Sequence, residues 1–148
     1  MAAKPETTFY TGVHKHLTDL YFEKMANPYR GGTFDCWYSG RRDLWVEYKF
    51  IELPKRNTTT IDLCTPRGKN MGSPLSALQQ QWGADRHREG RNIWVIVGIS
   101  VGRDSQGLVH RCPASWQRTD FTVDEMRPLL QTRRQIADEI ETFTSGGP

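Results

Sequence analysis

A chain of 148 residues with a net charge of +3 has room for one hydrophobic core and not for two. Hydrophobic residues are only 36% of it, so the five Trp, five Tyr and six Phe must supply much of the buried area. No apolar run approaches the 18 residues of a membrane span, and the opening Met-Ala-Ala-Lys-Pro-Glu lacks the apolar stretch of a signal peptide.

Residues 6–26 read as the first helix, with Phe9, Val13, Leu17 and Leu20 recurring at three- and four-residue steps. Asn27-Pro28 stops it, and Gly31-Gly32 forms a turn. Residues 33–38 and 44–51 are rich in aromatic and β-branched residues around Ser39-Gly40-Arg41-Arg42-Asp43, which predicts a β-hairpin. A further short strand is expected at 58–63, then a loop over 64–74. The second helix is expected over 74–89, with Gly90 as its stop and capping-box spacing between Ser76 and Gln79. Residues 92–100 are almost continuously apolar, as in a central strand covered on both faces, and 107–112 suggest a shorter strand. Two more capping boxes, Thr122 to Glu125 and Thr132 to Gln135, flank Pro128 and place the last helix at 132–143. The expectation is one α/β domain over 1–148, a small mixed sheet with flanking helices.

Charge is uneven along this order. Residues 51–112 carry nine basic and five acidic groups, whereas 1–50 carry seven and six. The positive excess therefore sits in the middle of the chain, where a polyanion could meet it. Cys36, Cys64 and Cys112 have no paired spacing for zinc or disulfides, which suits free thiols in the cytoplasm. His14 and His16, two apart on a helix, cannot share a face as metal ligands. Gln80, Gln81 and His87 read as surface, and the tryptophans as packing residues.

The second hairpin strand carries the chemistry. Period two puts Glu47 and Lys49 on one face and Val46, Tyr48 and Phe50 on the other. Acid-x-Lys alone is weak, since about 0.7 such tripeptides are expected by chance in this composition. Asp35 on the preceding strand folds back towards Glu47, and two converging carboxylates suit Mg²⁺ with Lys49 beside it. Glu6 and Glu23 are two glutamates on the expected first helix. At 100° per residue Glu6 falls in the middle of the first helix's apolar stripe and Glu23 on its edge.

Asp35, eleven intervening residues, then Glu47-Tyr48-Lys49 resembles the PD-(D/E)xK nuclease signature. Ser76-Ala77-Leu78-Gln79-Gln80-Gln81-Trp82, followed by Gly90-Arg91 and Ile93-Trp94-Val95-Ile96-Val97, is similar to the Gln-bearing helix and strand of the VRR-NUC and phage-nuclease branch. Phe34 replaces the proline of that branch's Gly-x-Pro-Asp. The resemblance covers residues 6–100. It implies a restriction-endonuclease-like core and a metal-dependent DNA endonuclease, such as a phage accessory nuclease or junction resolvase. It implies Asp35, Glu47 and the Tyr48 backbone carbonyl as ligands of Mg²⁺, with Mn²⁺ as substitute, and Lys49 as the catalytic lysine. Gln79 is expected at the site or as an ordinary cap. The class often adds a glutamate from the helix over the hairpin, for which Glu6 and Glu23 compete and the helical geometry favours Glu6. DNA contacts are expected at Lys55, Arg56, Arg67, Lys69, Arg86, Arg88 and Arg91, with a homodimer where two strands are cut. Two other readings stay open: an inactive nuclease fold that only binds nucleic acid, and a protein-interaction module.

Overall fold

The computed structural model describes residues 4–25, 31–67 and 72–147. Five strands form one sheet in the order β1 (Tyr21–Lys24), β2 (Cys36–Ser39), β3 (Leu44–Glu52), β4 (Ile93–Val101) and β5 (Asp104–His110). All neighbours are antiparallel except β3 and β4, which run parallel. A parallel pair needs a crossover, and α2 (Ala77–Arg88) lies within it. The chain is thus α/β, with a mixed sheet and flanking helices, as the pattern predicted.

β4 is buried along Ile93–Ile99, so its near-continuous apolar run reflects cover on both faces. One face packs Ile93, Val95, Val97 and Ile99 with Phe34, Leu75, Trp116, Val123 and Met126. The other packs Tyr38, Val46, Tyr48, Trp94 and Ile96 against α1 (Pro5–His14) and α5 (Arg133–Thr144). All three expected capping boxes form, at α2, at the short α4 (Val123–Met126) and at α5. Gly90 follows α2 with φ at +89°, a left-handed stop that glycine adopts without a Cβ penalty.

Three expectations need correction. The first helix ends at His14, not at 26, because the chain turns and 21–24 pair with β2 instead. Leu17 and Leu20 still pack on the same core, so the apolar spacing read as helix is met by the connection between α1 and β1. Residues 58–63 form no strand. Thr60 makes one bridge to Thr122, and the partner segment then turns into α4, which ends the ladder. Ile61 and Leu63 are buried all the same. The last strand begins at Asp104 rather than 107. A four-residue helix, α3 (Pro113–Trp116), follows it.

Among the described residues no helix is long and apolar enough to cross a membrane. The three cysteines are free.

Candidate active site

Trp45, Glu47, Lys49 and Ile51 of β3 face α2, while Leu44, Val46, Tyr48 and Phe50 face α1 and α5. Glu47 is 1% exposed, an unusual place for a carboxyl unless donors surround it. They do. Lys49 Nζ lies 3.0 Å from Glu47 Oε2, and Gln79 Nε2 donates to the same oxygen at 3.0 Å. The backbone N–H of Asp35 donates to Glu47 Oε1 at 3.2 Å. Cys36 pairs with Val46, so one more step of that register sets Asp35 opposite Glu47.

Gln79 closes the expected capping box and also reaches Glu47. Its Oε1 accepts the Ser76 N–H at 3.0 Å, closing the capping box, and its Nε2 reaches Glu47. A primary amide can do this because it carries an acceptor and donors on one group. Capping thereby fixes the rotamer that meets the buried acid. Gln80 corrects a surface expectation: it is half-buried and donates to the carbonyls of Cys64 and Leu75.

Phe34, the residue in place of proline, is fully buried and sits 5.0 Å from the Trp82 ring. A Cβ on Gly83 would come within 2.7 Å of Phe34 Cζ, so the glycine lets α2 close down on the hairpin. This contact clamps the helix bearing Gln79 to the segment bearing Asp35.

Burial pushes the Glu47 carboxyl up to about 8, against the opposing pull of Lys49 and with reinforcement from Asp35. Glu6, half-buried in the first turn of α1, is also raised, by burial first. Lys49 opposes that rise and Asp35 adds to it, so Glu6 shares the electrostatic field of the hairpin acids. Glu23 does not belong to a helix. It lies exposed in β1 opposite Trp37 and accepts a hydrogen bond from the Tyr21 hydroxyl. Lys24, on the same strand, lowers the Glu6 carboxyl and donates to the Tyr10 hydroxyl at 2.6 Å; sequence reading passed over it.

The expected DNA contacts divide between places. Arg86 and Arg91 line a cleft at the start of β3. Arg67 lines a separate depression by Ile51 and Glu52, near the end of β3, and Lys55 and Arg56 are exposed beyond that end. Arg88 is 75% exposed and pairs with Asp85 at 2.6 Å. Lys69 lies outside the described residues. Arg41 and Arg42 join Arg86 and Arg91 at the cleft, and a charge count by chain segment could not find them. Two arginines in a hairpin turn flanked by aromatics were the available signal.

No family model matches the chain. No curated protein matches it either. Among solved structures it is similar to Hjc, a Holliday junction resolvase from the archaeal hyperthermophile Archaeoglobus fulgidus. The two share 16% identity over 89% of this chain and 99% of that one, with a TM-score of 0.46.

Proposed function

We propose that this chain is a metal-dependent DNA endonuclease of the PD-(D/E)xK class, VRR-NUC-like, acting as one unit in the cytoplasm. The observation that carries the reading is Glu47, a buried carboxyl met by Lys49 from its own strand, by Gln79 from α2 and by the backbone of Asp35. A structural acid would be cheaper to replace by a hydrocarbon. An acid kept there with a lysine beside it suits chemistry.

Among the described residues no three His, Cys, Asp or Glu side chains are grouped to hold one ion. Two carboxylates with backbone and water oxygens are a hard donor set that fits Mg²⁺, which keeps several waters, better than zinc. Asp35, Glu47 and the Tyr48 carbonyl would hold it, with Glu6 nearby. β2 pairs with β3 only as far as Val46, so β3 beyond that point has one edge without a strand partner among the described residues. Bound there, the cation would acidify a water and neutralise a phosphoryl oxygen. Lys49 orients the attacking water and donates to the charge that develops on phosphorus-bound oxygen. Gln79 holds Glu47 in place and keeps its second amide hydrogen for a phosphate. Arg86 and Arg91 on one side, and Lys55, Arg56 and Arg67 on the other, attract the DNA backbone. A phage accessory nuclease or a junction resolvase, homodimeric where both strands are cut, fits this assignment.

The test is cleavage of linear, nicked, flap and four-way DNA in Mg²⁺ and in Mn²⁺. Asp35→Asn and Glu47→Gln should abolish cutting with an unchanged circular dichroism spectrum. Lys49→Ala should stop turnover and leave calorimetric metal binding measurable; full activity in this variant overturns the mechanism. Glu6→Gln should cost more than tenfold in single-turnover rate, and Glu23→Gln nothing.

A further inference from the structure

Next to Glu47 along β3 lies a cleft of about 580 Å³, between the β2–β3 turn and the C-terminal half of α2. That volume is in the range of small-molecule sites, roughly 300–1,000 Å³. Its wall is aromatic: Trp45 and Trp82 meet edge to face with centroids 5.7 Å apart. Its rim is cationic, with Arg41, Arg42, Arg86 and Arg91 against the single acid Asp43. Arg42 is anchored on the carbonyls of Gly146 and Gly147, and Arg86 on Glu89. Arg41 and Arg91 are exposed and have no ion-pair partner among the described residues.

Position ties this cleft to the acids. Trp45 and Glu47 are two residues apart on one strand face, about 6.6 Å. Gln79, Trp82 and Arg86 follow at helical steps of three and four on one side of α2. Both elements thus run from the Glu47–Lys49 group straight into the cleft. A ligand spanning the two places would meet the Glu47–Lys49 group at one end, and indole edges and guanidinium groups at the other.

We propose that the cleft receives one unpaired DNA nucleotide adjoining the phosphate that is cut, so that the substrate is a duplex with an unpaired segment at a branch or end. The nucleic acid's identity rests on the nuclease reading above. Trp45 already stacks on Trp37, and Trp82 packs on Phe34 with Arg86 over its ring, so a base entering the cleft meets the indole area these contacts leave open. Stacking there, with guanidinium groups on the phosphate, gives binding without sequence preference. The cleft has room for a base and its sugar and is too small for the stacked pairs of a duplex. Continuous duplex would have to pass over it and leave the tryptophans unused.

The experiment uses the full chain in Ca²⁺, where DNA binds without being cut. Affinity is measured for a blunt duplex, for the same duplex with a single-stranded extension, and for free nucleoside monophosphate. A 2-aminopurine at the first unpaired position reports stacking. The extended DNA should bind about tenfold tighter than the blunt one, and the 2-aminopurine should be quenched. Arg41→Ala combined with Arg91→Ala removes two exposed side chains that have no ion-pair partner among the described residues, and should cut that preference at least threefold. Trp82→Leu, verified by circular dichroism, should abolish the quenching. Equal affinity for both DNAs, or an undiminished preference in the arginine variant, overturns the proposal. Competition by micromolar mononucleotide overturns it too, assigning the cleft to a soluble ligand. Metal-dependent cutting without the preference would sink the cleft and leave the nuclease reading standing. The preference without cutting in Mg²⁺ or Mn²⁺ would do the reverse.

Discussion

The two faces of β3 carry buried polar groups of opposite design. Towards α2, Glu47 is a charged-type group with a lysine, an amide and a backbone N–H around it, and a cleft opens beside it. Towards α1 and α5, the polar atoms form a closed neutral chain: Tyr48 Oη lies 2.6 Å from Tyr38 Oη, which lies 2.7 Å from His14 Nε2. Burial raises both tyrosines and lowers His14 to about 4, so these groups stay neutral. A neutral, hydrogen-bonded chain costs far less to bury than a charge and ties α1 to the sheet. An acid whose burial is opposed by one lysine keeps an unmet demand for positive charge. One strand therefore supplies scaffold on one side and the proposed chemistry on the other, through nothing more than its period of two.

The sharpest attack on this contrast is Gln79→Glu. Glutamate keeps the Ser-x-x-Glu capping box, so α2 should persist by circular dichroism. It also sets a second carboxyl against Glu47, and cleavage should fall by about a hundredfold, about 2.7 kcal/mol in the barrier. Unchanged cleavage would reduce Gln79 to a cap.

Acid titration comes next. His110, buried and bonded to Ser115 Oγ at 2.7 Å, is lowered to about 4 by burial, as is His14. An unfolded-chain histidine takes its proton near 6.5. Between these values the unfolded state binds more protons, so stability present at pH 7 is lost as pH falls from about 6.5 to about 4 and no further below. Glu47 acts with the opposite sign, because its raised carboxyl makes the fold easier to keep as pH falls from about 8 towards 4.5. Urea unfolding of the wild type and His110→Gln across this range isolates the histidine part, on the order of 3 kcal/mol. Parallel pH curves for the two proteins would refute it.

The smallest effect tests the scaffold side. Tyr38→Phe strands the Tyr48 hydroxyl and His14 Nε2 at once, and should cost about 1–3 kcal/mol in unfolding free energy. Cleavage per folded molecule should stay within a factor of two. A larger loss of rate would mean that the neutral chain reaches the chemistry after all.

Much of this arrangement was legible in the chain itself, and for local reasons. Capping boxes act over three residues, glycine stops act at one, and β4 announces its burial by having almost no polar residue. Glu47 and Lys49 share a face because any strand would make them do so, and a hairpin of this length returns Asp35 to Glu47. The end of the first helix was not legible, since Leu17 and Leu20 satisfy a helical period and a folded-back turn equally well. What ends the helix is the pairing of Tyr21–Lys24 with Cys36–Ser39, a contact between distant segments that no local spacing encodes. The same holds for Gln79. Its sequence neighbours specify a cap, and only the packing of α2 over β3, through Phe34 and Gly83, turns the free end of that amide onto Glu47. Arg41 and Arg91 stand fifty residues apart and meet at one cleft because Trp45 pairs beside Ile93 in the sheet. Short-range geometry wrote the elements and the pair of acids. The hydrophobic closing of α2 onto the sheet decided which polar groups meet them, because side chains far apart in sequence are brought together only when the core between them is buried.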